Sequence, residues 1–229
     1  MRYTNRVCKP GERPYELCEA LNILSVKIAS SDVGFPISVY GTVIARNSID
    51  KKCVYLFRRD RDHCQRINSE DQSLILTGPK RGLALIDDAY VEIDLKIKSQ
   101  GEQDKELKVT YGVVKDAVEA TFAIEVLQGY YYGEITAWTT SIQNTLVLHD
   151  SKVAGARAGD GNRAIQLSRP VVAVYVKEKL YVKIAAQTHG KIKHRTVVFI
   201  PKVNGEDKRE VYVGATLMLV KVTWSIIDF

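Results

Sequence analysis

The chain repeats itself over a long interval. Three short segments occur twice and in the same order: Tyr40–Ala45 and Tyr132–Ala137, Leu76–Pro79 and Leu167–Pro170, and Tyr90–Ile93 and Tyr181–Ile184. The offsets between the copies are 92, 91 and 91 residues. The interval is too long, and the copies too few, for a solenoid or a propeller, so the repeat predicts one duplicated unit whose halves pack together.

Hydrophobic residues alternate with polar ones in many short segments. In the segment 90–98, one face carries Val91, Ile93, Leu95 and Ile97, and the other face is charged. This period of two is typical of a strand with one face in water. The segment 113–127 also fits a helical face, but its position in the repeat favours a strand. Short strands with frequent turns predict an all-β fold, an antiparallel β-sandwich or barrel built from two similar units.

The repeat also suggests domain boundaries. Residues 1–20 contain Pro10, Gly11 and Pro14 with several charges, and we interpret them as a leader or linker. Residues 21–229 then form a single β domain, with units at about 21–108 and 109–200. Asn204-Gly205 is typical of a tight turn and predicts a closing hairpin over 203–229.

The charge of the chain is spread evenly. The net charge is +6, and residues 1–100 and 101–229 each carry three more basic than acidic side chains. Nucleic-acid-binding proteins usually concentrate their positive charge, so the even spread favours a mildly basic surface. Apolar runs are shorter than the roughly 18–20 residues of a membrane helix, and the N-terminus does not read as a secretory signal. We therefore expect a cytoplasmic or nuclear protein without a membrane partner.

The four cysteines are Cys8, Cys18, Cys53 and Cys64, and no two of them form a CxxC pair. This pattern favours reduced thiols, although a Cys53–Cys64 bridge stays open as an alternative. His63 could join these two cysteines at a metal, but structural zinc sites use four ligands and the fourth is not evident. The sequence therefore predicts no metal and no cofactor.

Two clusters are candidates for ligand binding. Arg58, Arg59 and Arg61 lie in the densest charged run, which is either an anion site or a surface turn neutralised by Asp60 and Asp62. A turn at 77–82 adds two further cations, and a tyrosine run at 130–132 adds stacking surface, unless it packs at a strand edge. The predicted site residues are Arg58, Arg59, Arg61, Lys80, Arg81, Tyr130 and Tyr131. Their ligand would be a weakly bound RNA or an anionic glycan.

The sequence offers little for catalysis. His149, Asp150 and Ser151 have the residue types of a catalytic triad, but adjacency in sequence is not triad geometry. Asp87 and Asp88 would need a turn to share one face. We therefore predict no catalytic residues.

Six segments carry a family resemblance: Leu24–Ala29, Val39–Val43, Ala45–Asp50, Leu56–Gln65, Leu74–Pro79 and Tyr90–Lys96. Together they resemble a family of domains of unknown function in cereal grasses. Its members occur alone or fused behind the ribosome-inactivating domain of jasmonate-induced stress proteins. The resemblance implies a plant stress or defence role and carries no catalytic residues.

The fused partner domain implies one alternative activity, rRNA N-glycosidase. Such enzymes place a glutamate and an arginine close together on a helix, whereas neither Glu119 nor Glu125 has an arginine in the following turn. The fused proteins have also been likened to cap-binding factors with two tryptophans, but Trp138 and Trp224 both lie in strand patterns that suit a core. The sequence thus favours a non-catalytic interaction module with a protein partner.

Overall fold

The computed structural model describes residues 16–47, 53–78, 81–98, 105–158, 163–188 and 190–227. These ranges are nearly all β, with one four-residue helix. The sheets are antiparallel, and within these ranges none closes on itself. The all-β prediction is therefore confirmed, and of its two alternatives the structure is a sandwich.

The strands fall into two consecutive sets, which we name the first and second units. The first unit comprises β1 Glu19–Ser31, β2 Ile37–Arg46, β3 Val54–Arg59, β4 Gln65–Ile67, β5 Leu83–Leu85, β6 Tyr90–Ile97 and β7 Lys105–Val114. The second unit comprises β8 Ala117–Gln128, β9 Tyr130–Tyr131, β10 Gly133–Thr139, β11 Leu146–Asp150, α1 Ser151–Ala154, β12 Arg157–Ala158, β13 Val171–Tyr175, β14 Leu180–Thr188, β15 Lys191–Phe199, β16 Gly205–Val213 and β17 Thr216–Ile226.

Each unit is a two-layer sandwich. In the first unit, the sheet β5-β1-β7 faces a sheet in which β2 pairs with β3 and β4 along one edge and with β6 along the other. In the second unit, the sheet β13-β8-β17-β16 faces the sheet β11-β10-β14-β15. Alternate residues of the facing strands fill a separate hydrophobic core in each unit.

The strand order is the same in both units. β1 lies between β5 and β7 as β8 lies between β13 and β17, and β2 lies between β3 and β6 as β10 lies between β11 and β14. Outside this common order, β4 occurs in the first unit, and the second unit has the short pair β9-β12 and two strands that extend its sheets, β15 and β16, each at the edge of one sheet. β7 runs across the suggested boundary at residue 108 and pairs with β1. The domain boundaries stay a prediction, and the leader lies largely outside the described residues.

The repeated Tyr-Gly pair marks a close approach of strands in both units. A Cβ atom on Gly41 would overlap the carbonyl oxygen of Asp94 and lie 3.0 Å from the Cα of Leu95. A Cβ atom on Gly133 would overlap the carbonyl oxygen of Ala185 and lie 3.0 Å from the Cα of Ala186. Glycine therefore recurs because only a residue without a side chain lets β2 approach β6, and β10 approach β14, this closely.

Polar bonds join the units. The side chain of Asn22 in β1 donates to the carbonyl of Ala173 in β13 at 2.8 Å and accepts from its N–H at 3.1 Å. The N–H of Gly78 donates to the carbonyl of Ser168 at 2.7 Å. These two residues belong to matching segments of the repeat, so the copies meet at corresponding places. A cluster of buried apolar side chains lies beside them: Ala20, Ala84, Val114, Ala117, Ala173 and Ile227.

We expect the substitution Gly133→Ala to lower the free energy of unfolding by about 3 kcal/mol, because β14 must move to admit the new methyl group. Gly190→Ala is the matched control. Its φ of 74° is unfavourable for alanine, but nothing lies within 4 Å of the added Cβ. It should cost only about 1 kcal/mol. Urea unfolding of both variants checks this, and equal losses would contradict a steric role for Gly133.

Candidate functional site

The predicted arginine cluster lies on the surface at the end of β3. Asp60 is bonded to His63, with the imidazole Nδ1 at 2.9 Å, and these bonds lower the pKa of Asp60. Arg59 donates to the carbonyl of His63 at 3.2 Å. The guanidinium of Arg58 lies 4.9 Å from the centre of the Tyr55 ring. Arg58 therefore contacts an aromatic ring and Arg59 a backbone carbonyl, and Arg61 is exposed. Asp60 is paired with His63 rather than with an arginine of the cluster.

Arg81, one of the two other predicted cations, does not extend this cluster. Arg81 is 1% exposed, and its guanidinium donates to Asn47 at 3.1 Å and to the carbonyl of Gly82 at 3.0 Å. It is a buried structural residue that cannot meet a ligand at the surface. Lys80 lies outside the described residues.

The predicted tyrosine platform is divided between surface and core. Tyr130 is 60% exposed and lies beside the turn between β16 and β17, where Thr216 donates to its carbonyl at 2.6 Å. Tyr131 is fully buried and donates to the carbonyl of Ala185 at 3.2 Å, and burial raises its pKa. Period-two alternation turns neighbouring side chains to opposite faces, so only Tyr130 can stack on a ligand.

The triad-like residues form a buried hydrogen-bonded chain. The Nε2 atom of His149 lies 3.0 Å from Ser151 Oγ, and its Nδ1 atom lies 3.0 Å from the carbonyl oxygen of Gln166. The carbonyl can only accept, so Nδ1 carries the proton in the neutral ring and Ser151 donates to Nε2. Asp150 instead caps α1 by accepting from the N–H of Lys152 at 2.9 Å. Both His149 and Ser151 are buried, so this pair holds β10 and β11 together and meets no substrate.

Glu119 is also structural. It is 2% exposed near the start of β8, where it accepts from the N–H of Gly82 and from Ser225 Oγ, the latter at 3.1 Å. The Glu119 carboxylate therefore links β8 to β17 through Ser225 and to the first unit through Gly82. Its position gives no support to a catalytic role.

The residues that the sequence analysis missed lie on the outer face of the sheet β11-β10-β14-β15. Trp138 in β10 stacks on Tyr181 in β14, with ring centres 5.4 Å apart and planes 7° apart. Trp138 was expected in the core, but its neighbours Ala137 and Thr139 point inward, so alternation turns the indole outward. Trp224 is in the core as expected, 2% exposed.

A cavity of about 450 Å³ opens beside this aromatic pair, and we name it the aromatic slot. It is lined by hydroxyls, one amide, one ammonium and two rings: Trp138, Thr139, Thr140, Gln143, Thr145, Tyr181 and Lys183. Ligand pockets of this size commonly combine an apolar surface with a few orienting polar groups. The slot therefore fits one ring-shaped polar group.

The wall of the slot is held by its neighbours. Glu178 accepts from the N–H of Ser141 at 3.3 Å and from its hydroxyl, and the N–H of Lys179 donates to Thr140 at 3.3 Å. On the other side, the side chain of Ile142 packs against Gly112 of the first unit. The slot is thus a fixed feature in which hydroxyl groups are already placed.

The first unit has an ion pair at the positions that correspond to the aromatic slot. The repeat offsets match Trp138, Tyr181 and Lys183 to Arg46, Tyr90 and Glu92. Arg46 binds Glu92 through two nitrogens, at 2.5 and 3.1 Å, and these bonds lower the pKa of Glu92. An ion pair therefore occupies the position where the second unit has its aromatic pair.

A second cavity of about 300 Å³ lies between the units. Its lining includes Arg169, which is 5% exposed and donates to the carbonyl of Ile23 at 2.7 Å, and burial lowers its pKa to about 10. Glu134 and Asp150 line the same cavity and are paired across β10 and β11. The lining of this cavity therefore carries charges of both signs, and it favours neither an anionic nor a cationic ligand.

Metal and redox chemistry find no support in the described part of the chain. There, no group of three or more His, Cys, Asp and Glu side chains is placed to hold a metal ion. Cys53 and Cys64 are free thiols rather than a bridge, because they precede strands that pair with opposite ends of β2. No helix of the described residues has the length and apolar character needed to cross a membrane.

Fold and site together define a protein of two similar β-sandwich units with an aromatic slot on the second. A comparison with protein families matches the chain twice, over residues 20–108 and 103–222, to the family described as Domain of unknown function (DUF6598). The chain belongs to this family, and the two matches follow the two units. No curated protein matches the chain. No solved structure matches it either.

We expect Glu119→Ala to lower the free energy of unfolding by about 3 kcal/mol, because two buried donors lose their acceptor. The matched control is Glu125→Ala in the same strand, where the side chain is half-buried. It should change stability by less than about 1 kcal/mol. Urea unfolding measures both, and an unchanged midpoint for Glu119→Ala would contradict the structural role.

Proposed function

We propose that this chain is a non-catalytic interaction module that binds an anionic glycan through the aromatic slot. The observation that carries the proposal is the half-exposed Trp138–Tyr181 stack surrounded by hydroxyl and amide side chains. A sugar ring has an apolar C–H face that packs on an indole and hydroxyls that bond at its rim. Aromatic side chains with polar neighbours suit such amphipathic ligands.

Lys183 gives the proposal its charge preference. Its ammonium group lines the slot beside Tyr181, and the slot lining carries no carboxylate among its described residues. A lysine acts on anions as a compact point charge on a flexible stem. A carboxylate or sulfate on the bound sugar would therefore be favoured over a neutral hydroxyl at this end of the slot.

The proposed setting comes from the family resemblance. The resemblance implies a stress or defence protein of cereal grasses, in which a protein partner such as a toxin-like domain would act beside the module. The cytoplasm or nucleus is the location that we expect from the sequence. Binding of a glycan would then bring that partner to the surface that carries the glycan. The slot supports the binding step, and the resemblance alone supports the setting.

The rival function is rRNA N-glycosidase activity. We favour it less because Glu119 is buried and bonded within a strand, where a substrate base cannot reach it. We expect the purified chain to leave ribosomal RNA intact in a depurination assay. Depurination by the wild-type chain that is lost in Glu119→Gln or Glu125→Gln, with the fold retained, would overturn the non-catalytic proposal.

We expect Trp138→Ala to weaken binding to acidic glycans about ten-fold or more, because the stacking surface is lost. The matched control is Tyr90→Ala, which removes an exposed ring at the corresponding place of the first unit. It should leave affinity unchanged. A glycan array followed by calorimetry on the best acidic and neutral ligands measures this.

The substitution Lys183→Gln separates charge from stacking in the same experiment. It should weaken acidic glycans several-fold and leave neutral ones unchanged, because only the ionic contact is removed. The proposal fails if the folded Trp138→Ala variant binds as tightly as wild type. It also fails if no glycan on the array binds the wild-type chain.

A further inference from the structure

The edge strands β15 and β16 of the second unit carry exposed cations, three of them in a row along β15. Lys191, Lys193 and Arg195 are exposed in β15. Lys193 and Arg195 pair in register with Ala186 and Ile184 of β14, both buried in the core. Paired residues share a face of the sheet, so the three cations point to the inner side of the sandwich, beyond the end of its core. Alternate residues of a strand lie about 7 Å apart, so the row is evenly spaced.

β16 adds a fourth cation from the facing sheet. Arg209 pairs with Val220, which is buried in the core, so Arg209 also points inward. The inward acid of this strand, Asp207, is already occupied, since Lys202 binds it at 2.7 Å and the Trp224 indole donates to it at 2.8 Å. Partial burial alone would raise the pKa of Asp207, but these two partners, together with the nearby charge of Arg209, outweigh it and lower the pKa.

The remaining acids of β16 lie on its outer side. Glu206 binds Lys208 at 2.7 Å and also binds Lys221, and both contacts lower its pKa. Glu210 alternates with Arg209 and so points away from the cations. In the described residues, none of the four inward cations has a carboxylate within ion-pair distance, and we name them the cationic edge: Lys191, Lys193, Arg195 and Arg209.

One exposed tyrosine lies near one end of this edge. A Cβ atom on Gly214, in the turn between β16 and β17, would lie 3.9 Å from the Cγ of Lys193. Tyr130 is 60% exposed and is bonded through its carbonyl to Thr216, just after this turn. Tyr212 is also exposed, but it alternates with Val211 and Val213 and therefore points to the outer side, as Glu210 does. Cations and one exposed aromatic ring therefore meet at this turn.

We propose that the cationic edge, with Tyr130, binds single-stranded nucleic acid. Proteins that bind single strands combine a basic groove along the backbone with aromatic rings on which bases stack. An ordinary edge strand carries inward charges, lysine above all, to prevent pairing with another sheet. That role concerns one strand at a time, and it does not account for the convergence of cations from β15 and β16 or for the exposed ring beside them. This site is separate from the aromatic slot and does not depend on the glycan proposal.

The test measures binding of the full chain to fluorescent 20-mers of oligo(U) and oligo(dT) at two salt concentrations. The variant K191Q/K193Q/R195Q should lose about ten-fold or more in affinity at the lower salt. The slope of log affinity against log salt should fall by about 2, since each phosphate contact on a single strand contributes about 0.7. Tyr130→Ala should weaken binding about five-fold or more without changing that slope. Tyr212→Ala, which removes an exposed ring from the outer side of β16, is its matched control and should leave affinity unchanged.

The matched control is R58Q/R59Q/R61Q, which removes the same charge from the other arginine cluster. It should change affinity less than two-fold. Equal losses in the two triple variants would show binding by net charge alone and overturn the proposal, as would no binding by wild type. If the β15 variant aggregates, Arg209→Gln replaces it, with an expected loss of about three-fold and a slope lower by about 0.7. Unchanged binding by that variant would equally reject the site.

Discussion

The polar joint between the two units is the interaction on which the rest of the structure depends. Each unit has its own core, and a smaller apolar cluster that includes Ala20, Val114 and Ile227 lies between them. Apolar burial is non-directional, so it stabilises this contact without fixing its register. Asn22 instead satisfies both backbone groups of Ala173, and breaking such a buried pair leaves two unsatisfied groups. Directional bonds therefore set how the units meet, and hydrophobic burial stabilises each unit and the contact between them.

The aromatic slot depends on this joint although its rings belong to one unit. Ile142 supports the slot wall and packs against Gly112 of the first unit. The bonds of Ser141 with Glu178 and of Thr140 with Lys179 support the wall from within the second unit. A shift between the units would remove the first support and leave the other two. The wall is therefore held from both units, although the rings belong to one.

The fold was more predictable than the site because the two depend on different information. Period-two alternation and the repeat are local, and they predict strands and the matched places of Gly41 and Gly133. The same alternation could have identified the slot, since Trp138 shares the parity of Glu134 and Thr136 rather than that of Ile135 and Ala137. Pairing between Trp138 and Tyr181 required the register of β10 on β14, which the sequence alone does not give. The burial of Arg81 was unpredictable for the same reason, because its partner Asn47 is distant in sequence.

Duplication explains why the candidate surfaces belong to one unit. Both units must keep the glycine contacts and the core alternation, because these hold the sandwich. Residues on the outer face of each sandwich do not contribute to these contacts, so they can differ between the copies. Arg46 and Glu92 form an ion pair in the first unit, while Trp138 and Lys183 line an open slot in the second. The extra strands β15 and β16 lengthen both sheets beyond the core, so their inward positions can carry charge without burying it. A chain with two copies of one scaffold can therefore keep stability in both and place recognition in the copy whose outer face and edges are unconstrained.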